Sequence, residues 1–274
     1  MAIHYDAFMG FFRIKLTLFI LLLGVNSPLL HASEPEQYWT FSSGPQQTQL
    51  IELYTSEGCS SCPPAERWLS QFRHHPDLWQ RYVPVAFHVD YWDYLGWKDP
   101  FASSHYSQRQ RNYRHRGNSS SVYTPQFILN GNEWRGYFSR PKHKLPSEAG
   151  VNTGRLLLNT QRIGDMFNIE TQFDPQSQYK TPLRLHVALL GADINNPVKR
   201  GENAGRTLQH HFVVLQHLQY PLTKRLQTLH ANATLQLPQQ LPANSQLGLA
   251  GWISNQQGHI IQATGGWLNT DNSQ

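Results

Sequence analysis

The chain has 274 residues, enough for one large domain or two modest ones. With 39% hydrophobic and 15% charged residues, it is built to bury a core rather than to stay disordered. Its net charge of +5 is mildly basic, but Lys and Arg are scattered, and nucleic-acid binding would need them gathered into a stripe.

The first 33 residues read as a secretory signal. Arg13 and Lys15 supply positive charge, Leu16 to Val25 an apolar run, and Ala32 a small residue for cleavage. The run is short for a membrane span of about 20 residues. A periplasmic or secreted protein with no stable span after signal removal is therefore expected.

Residues 34–48, with Pro35, Pro45 and several Gln, read as a linker. Leu50, Ile51, Leu53 and Tyr54 then form a buried strand. Pro63 and Pro64 open a helix that continues through Ala65 to Leu69, so Cys59-Ser60-Ser61-Cys62 lies at a strand-to-helix junction. Val83 to Val89 is the next strand. Residues 90–122 are polar and aromatic, with a helix near Phe101 to Tyr113; on it Arg109, Arg111, Arg114 and Arg116, with His115, read as a solvated face. Gln126 to Leu129 and Glu133 to Phe138 flank Asn130-Gly131, a strong two-residue hairpin signal. From residue 152 onward, short strand-like runs alternate with Pro, Gly, Asn and Gln: Leu156 to Leu158, Met166 to Phe173, Leu183 to Leu190, His211 to Leu218, Ala233 to Leu237, Leu247 to Ile253 and His259 to Gln262. That is the pattern of a small β-sandwich. The expected organisation is an α/β domain over 49–151, with an insertion at 90–122, followed by a β-rich, sandwich-like domain over 152–274.

The only two cysteines are Cys59 and Cys62. A disulfide closing so short a loop gives roughly 2 kcal/mol, less than a long loop would, so the pair reads as chemistry rather than as a staple. A helix N-terminus favours a thiolate, which is the nucleophile. Cys59, expected to be the more exposed, would attack a substrate disulfide, and Cys62 would resolve the mixed disulfide. Ser60-Ser61 puts no basic residue between the cysteines, so a middling reduction potential is expected.

The segment from Leu50 to Glu66, containing Thr55-Ser56-Glu57-Gly58-Cys59-Ser60-Ser61-Cys62-Pro63-Pro64, resembles the DUF1223 family of exported bacterial proteins. Phe87 to Trp97, Tyr123-Thr124-Pro125-Gln126 and Gly201 to Arg206 resemble it as well. The resemblance covers most of the mature chain and implies a thioredoxin-like fold, a central mixed sheet with helices, but no substrate. It implies a cis Pro125 shielding Cys59, with Thr124 pairing its backbone with an extended substrate segment; from the residues alone Pro125 is equally an ordinary strand-start proline. Glu52, an acid within an apolar strand, resembles the thioredoxin acid that moves the proton of the resolving cysteine, and otherwise reads as a residue facing solvent or paired with Arg.

Asp90, Trp92, Asp93 and Trp97 are candidates for a substrate lip, or else form a packed loop whose carboxylates cap backbone N–H groups. Glu202 and Arg206 read as a turn held by an ion pair. His210 and His211 are adjacent on a strand and point to opposite faces, so they do not share a metal. The leading reading is a thiol–disulfide oxidoreductase acting on protein thiols and disulfides, with an unidentified redox partner, no cofactor and no resident metal. The alternatives are a binding module with a permanent disulfide, and a Cu(I) carrier using Cys59, Cys62 and a third ligand such as His88.

Overall fold

The computed structural model describes Met1 and residues 36–139, 145, 150–179, 182–239, 241 and 245–268. Apart from Met1, the expected signal at 1–33 lies outside the described residues. Among those described, no helix is long and apolar enough to cross a membrane.

The described residues are mostly β-sheet with two α-helices. In chain order the elements are β1 (Gln37–Ser42), β2 (Gln49–Thr55), α1 (Cys62–Ser70), β3 (Tyr82–His88), α2 (Ser104–His115), β4 (Gln126–Leu129), β5 (Asn132–Glu133), β6 (Gly154–Ile163), β7 (Met166–Pro175), β8 (Arg184–Ala192), β9 (Ile194–Pro197), β10 (Thr207–His210), β11 (Val213–Pro221), β12 (Thr223–Arg225), β13 (Thr228–Gln236), β14 (Gln246–Ser254) and β15 (Ile260–Trp267). They form an eight-stranded sheet in the order β15-β14-β8-β11-β3-β2-β4-β5, a five-stranded sheet β1-β6-β7-β13-β12, and the pair β10-β9.

Two sequence expectations change. The segment 34–48 is not merely a linker, because β1 lies within it and pairs antiparallel with β6. The boundary at 152 does not separate two sheets. β11 lies parallel to β3 at Val213 and Ala86, and the Ala86 N–H donates to the Phe212 carbonyl at 2.8 Å, so strands from both halves share one sheet. Residues 34–274 form one compact unit.

The sheet edge near the cysteines follows local rules. β2 and β3 are parallel with α1 between them in sequence, and β4 is antiparallel to β2. The β4–β5 turn is Asn130-Gly131, with φ of 50° and 91°, as a mirror-image hairpin turn requires. A Cβ on Gly131 would meet the Gly258 carbonyl oxygen at 2.2 Å, so glycine is required on two counts.

Alternation along the strands assigns faces. Leu53 pairs with Phe127 in register, and Phe127 packs edge-on against Trp68 of α1. Tyr54 pairs with Phe87, which packs against Tyr106 of α2. β8 is buried on both faces: Leu185, Val187 and Leu189 join Leu156, Leu158, Phe167, Ile169 and Phe173 in the core between the sheets, while Ala188 and Leu190 belong to the core of the helical region.

On the α2 face, His186, His217 and Trp252 hold near-parallel rings 5.2–5.4 Å apart. Burial, then the nearby Arg109 cation, holds both imidazoles well below the ordinary histidine range. The unfolded chain binds protons at these positions below about pH 6.5, and the folded chain does not. Below about pH 6.5 these two groups should therefore lower stability as pH drops toward 5, by up to about 3 kcal/mol per pH unit for the two together. Urea unfolding at stepped pH checks this; His186→Phe should remove about half the slope.

Candidate functional site

Cys59 and Cys62 form a disulfide with Cα atoms 5.5 Å apart. β2 ends at Thr55, the Cys59 N–H donates to the Ser56 carbonyl at 3.2 Å, and the Cys62 N–H donates to the Cys59 carbonyl at 3.2 Å. This tight turn delivers Cys62 as the first residue of α1, with Pro63 and Pro64 in the first turn, where missing N–H groups cost no helical hydrogen bond. Ser61 Oγ lies 3.3 Å from Cys59 Sγ.

Cys59 is not the open nucleophile expected, because both cysteines are buried, at 1% and 0% exposed. Two loops cover the turn. Trp92 packs on Gly58, where an added Cβ would sit 3.1 Å from Trp92 Cβ, and its indole N–H donates to Thr124 Oγ1 at 2.7 Å. From the second half of the chain, Asn203 donates to the carbonyls of Glu57 and Cys59 at 2.8 and 3.0 Å, and Glu202 accepts the Ser60 N–H at 2.8 Å. The expected ion pair of Glu202 with Arg206 is replaced by these bonds, and Arg206 donates to Asn203 instead. The Thr124–Pro125 peptide bond is cis. Both residues line a cleft of about 490 Å³ with Ser61, Tyr123, Tyr137 and Phe138.

The lip candidates divide. Trp92 covers the turn, and Trp97 donates to Glu57 at 2.7 Å. Asp93 accepts the Asp99 N–H at 3.3 Å within the loop, and Asp90 accepts from the Ser107 hydroxyl and so ties the loop to α2.

Glu52 does not serve the cysteines in this arrangement. Strand alternation turns it away from α1, and its carboxylate takes Arg109 Nη2 and Nε at 2.8 and 2.9 Å, with the hydroxyls of Tyr113 and Tyr54 at 2.5 and 2.9 Å. Arg109 accordingly leaves the solvated face expected for it, and its side chain is 11% exposed.

The acids on the cysteine side are others. Glu57, Glu66, His88, Asp99 and His210 are all buried. Glu66 sits four residues after Cys62 on α1 and accepts from Thr55 Oγ1 at 2.6 Å. His210 donates from Nε2 to Glu57 at 2.9 Å and from Nδ1 to Glu66 at 2.5 Å. Glu57 also accepts from Asn196 at 2.8 and 2.9 Å. His88 donates from Nδ1 to Asp99 at 2.8 Å, and Asp99 accepts the Glu57 N–H at 2.9 Å. Burial opposes charge in both pairs, but the pairings win. The Glu66 carboxylate raises the His210 pKa to about 10, and Asp99 holds His88 above the ordinary histidine range. His210 keeps Glu66 low, and His88 does the same for Asp99. His88 Nε2 alone among these ring nitrogens is buried without a hydrogen-bond partner, a loss of about 1–3 kcal/mol in an otherwise satisfied group. His211 turns the other way, toward Asp193.

Sequence reasoning missed Glu57, Glu66, Asp99 and His210 as site residues. The usable signals were Glu66 one helical turn after Cys62, and polar residues at the ends of the strands flanking the turn.

The family described as protein of unknown function, DUF1223, matches residues 50–253, from the strand before the cysteines to beyond His210. No curated protein matches. Among solved structures, a structural-genomics protein from Agrobacterium tumefaciens is 24% identical at a TM-score of 0.51, over 84% of this chain and 97% of that one. HBP35 of Porphyromonas gingivalis is 15% identical at a TM-score of 0.56, over 84% and 79%. At these identities the likeness concerns the fold alone. The match over residues 50–253, spanning both the cysteine turn and the polar cluster beside it, places the chain in the DUF1223 family.

Proposed function

We propose that the protein is an exported thiol–disulfide oxidoreductase acting through Cys59 and Cys62. Its β2–α1–β3 unit with β4 and β5 is read as the thioredoxin-like part of the fold, and its N-terminal segment as the export signal. The carrying observation is the disulfide at the N-terminus of α1, beside a cleft that Ser61 shares with Thr124 and Pro125. A thiolate formed there faces the positive end of the helix.

The chemistry balances without a cofactor. A substrate thiolate attacks Cys59 Sγ, the Cys59–Cys62 bond breaks, and Cys62 leaves as a thiolate that takes up a proton. A second substrate thiolate then attacks the mixed disulfide and releases Cys59. Two electrons pass from the substrate dithiol to the Cys59–Cys62 pair, and the reverse sequence reduces a substrate disulfide. Thr124 is assigned to backbone pairing with an extended substrate, and Pro125 to shielding Cys59.

A second reading has its own support. Burial of both cysteines favours a permanent disulfide that braces a binding module. Equilibration in glutathione buffers with counting of free thiols separates the two. A potential between about −120 and −270 mV supports exchange; one well below about −300 mV, or a disulfide that never opens, supports the brace.

A further inference from the structure

We propose that Glu66, His88 and His210 form a binding site for one divalent transition-metal ion of the Zn²⁺ class. The site is distinct from the cysteines and does not depend on their exchange chemistry. One carboxylate oxygen and one nitrogen from each ring lie within 4.8 Å of one another.

The outer partners aim these atoms inward. Asp99 occupies His88 Nδ1 at 2.8 Å, so a neutral His88 presents its Nε2 lone pair. Glu57 occupies His210 Nε2 at 2.9 Å, so a neutral His210 presents Nδ1. Thr55 occupies Glu66 Oε1 at 2.6 Å, leaving Oε2. Two histidines each backed by a carboxylate on the far nitrogen is the arrangement that fixes tautomer and ring angle in metal sites. The independent observation is His88 Nε2, fully buried and without a partner. A purely structural His88–Asp99 pair has no use for that nitrogen; a metal ligand does.

Size, charge and donor type agree. Bonds of about 2.0–2.2 Å to a tetrahedral ion set neighbouring ligand atoms about 3.3 Å apart. The His210–Glu66 hydrogen bond of 2.5 Å would therefore open by less than about 1 Å, releasing its proton. Three carboxylates, Glu57, Glu66 and Asp99, face two imidazoles here. A divalent ion with both rings neutral leaves the same net charge as two imidazolium rings without it. Two imidazoles and one carboxylate suit Zn²⁺, with one position open to water. The set lacks the soft sulfur that Cu(I) prefers and the oxygen cage that Ca²⁺ needs.

The test uses the untagged, chelator-stripped mature protein with its disulfide intact, titrated with Zn²⁺ and Co²⁺. One equivalent of each should bind, with Co²⁺ visible bands lacking a thiolate charge-transfer component. The double variant Cys59→Ser, Cys62→Ser should bind equally, which separates this site from the cysteines. His88→Gln should weaken binding by more than about 100-fold, and Asp99→Asn by roughly 10- to 100-fold. Because buried variants can fail to fold, anomalous scattering from wild-type crystals soaked in Zn²⁺ supplies the second measurement. A peak bounded by Glu66, His88 and His210 supports the proposal. No stoichiometric binding, binding unchanged in folded His88→Gln, or a peak only at other histidines overturns it.

Discussion

Glu52→Gln is expected to lower the unfolding free energy by about 3–5 kcal/mol, the cost of removing one member of a buried ion pair. Glu52 is fully buried and is the only carboxylate paired with Arg109 among the described residues. The guanidinium lies 5.2–5.5 Å from the ring centres of Phe87, Tyr113 and Trp252. Those faces stabilise a cation, but they do not neutralise it. The amide that replaces the carboxylate would keep some hydrogen bonds and lose the charge, leaving Arg109 buried without its counter-ion. The double change Glu52→Leu, Arg109→Met should cost less than either half alone, because it removes both charges together. Chemical unfolding of Glu52→Gln, of the double variant and of its two halves checks the magnitude and the ordering. The folded fraction of Glu52→Gln should keep wild-type exchange kinetics and pH profile, since Glu52 lies on the α2 face and the disulfide on the α1 side. A shifted pH profile in that variant would return Glu52 to the proton-carrying role suggested by resemblance.

The contrast between Glu52 and Glu66 shows what the sequence carries. Local features were readable: the apolar run of β2, the prolines that open α1, the Asn130-Gly131 turn, and the alternating runs that became β6, β7, β8, β11, β13, β14 and β15. Each is set by neighbours a few residues away. β1 escaped because it is a six-residue edge strand whose only fully buried residue is Trp39. The shared sheet was hidden because β3 and β11 meet through a parallel pairing far apart in sequence, with no local signature. The polar cluster was hidden for the same reason: Glu66 and His210 are 144 positions apart, and each looks alone like an ordinary polar residue. Period-two alternation already separates Glu52 from Thr55 by face, and Thr55 is the residue that reaches α1. The acid within the strand that leads to the first cysteine was therefore on the wrong side of the sheet, and the acids on the right side lay in the turn (Glu57), the helix (Glu66) and the loop before α2 (Asp99).

Cys59→Ser is expected to abolish thiol exchange outright, while costing only about 2 kcal/mol of stability, the chain-entropy value for so short a loop. The mismatch between these effects gives the experiment its force, because a folded but inert variant assigns the loss to chemistry. Cys62→Ser should leave Cys59 able to attack but unable to resolve, so mixed disulfides accumulate and can be isolated from cells. Burial adds a condition. Cys59 is 1% exposed, so attack requires the covering loops to move, and Trp92, packed on the adjacent Gly58 and bonded to Thr124, is the bulkiest side chain of that cover. Trp92→Ala should therefore speed reduction of the wild-type disulfide by dithiothreitol at least about tenfold, for an opening cost of roughly 1.4 kcal/mol or more. If Trp92→Ala speeds reduction and Cys62→Ser traps partners, Trp92 acts as a cover over a working redox pair. If the cover can be removed and Cys62→Ser still traps nothing, accessibility is no longer the obstacle, and the disulfide is a brace for the surrounding loops.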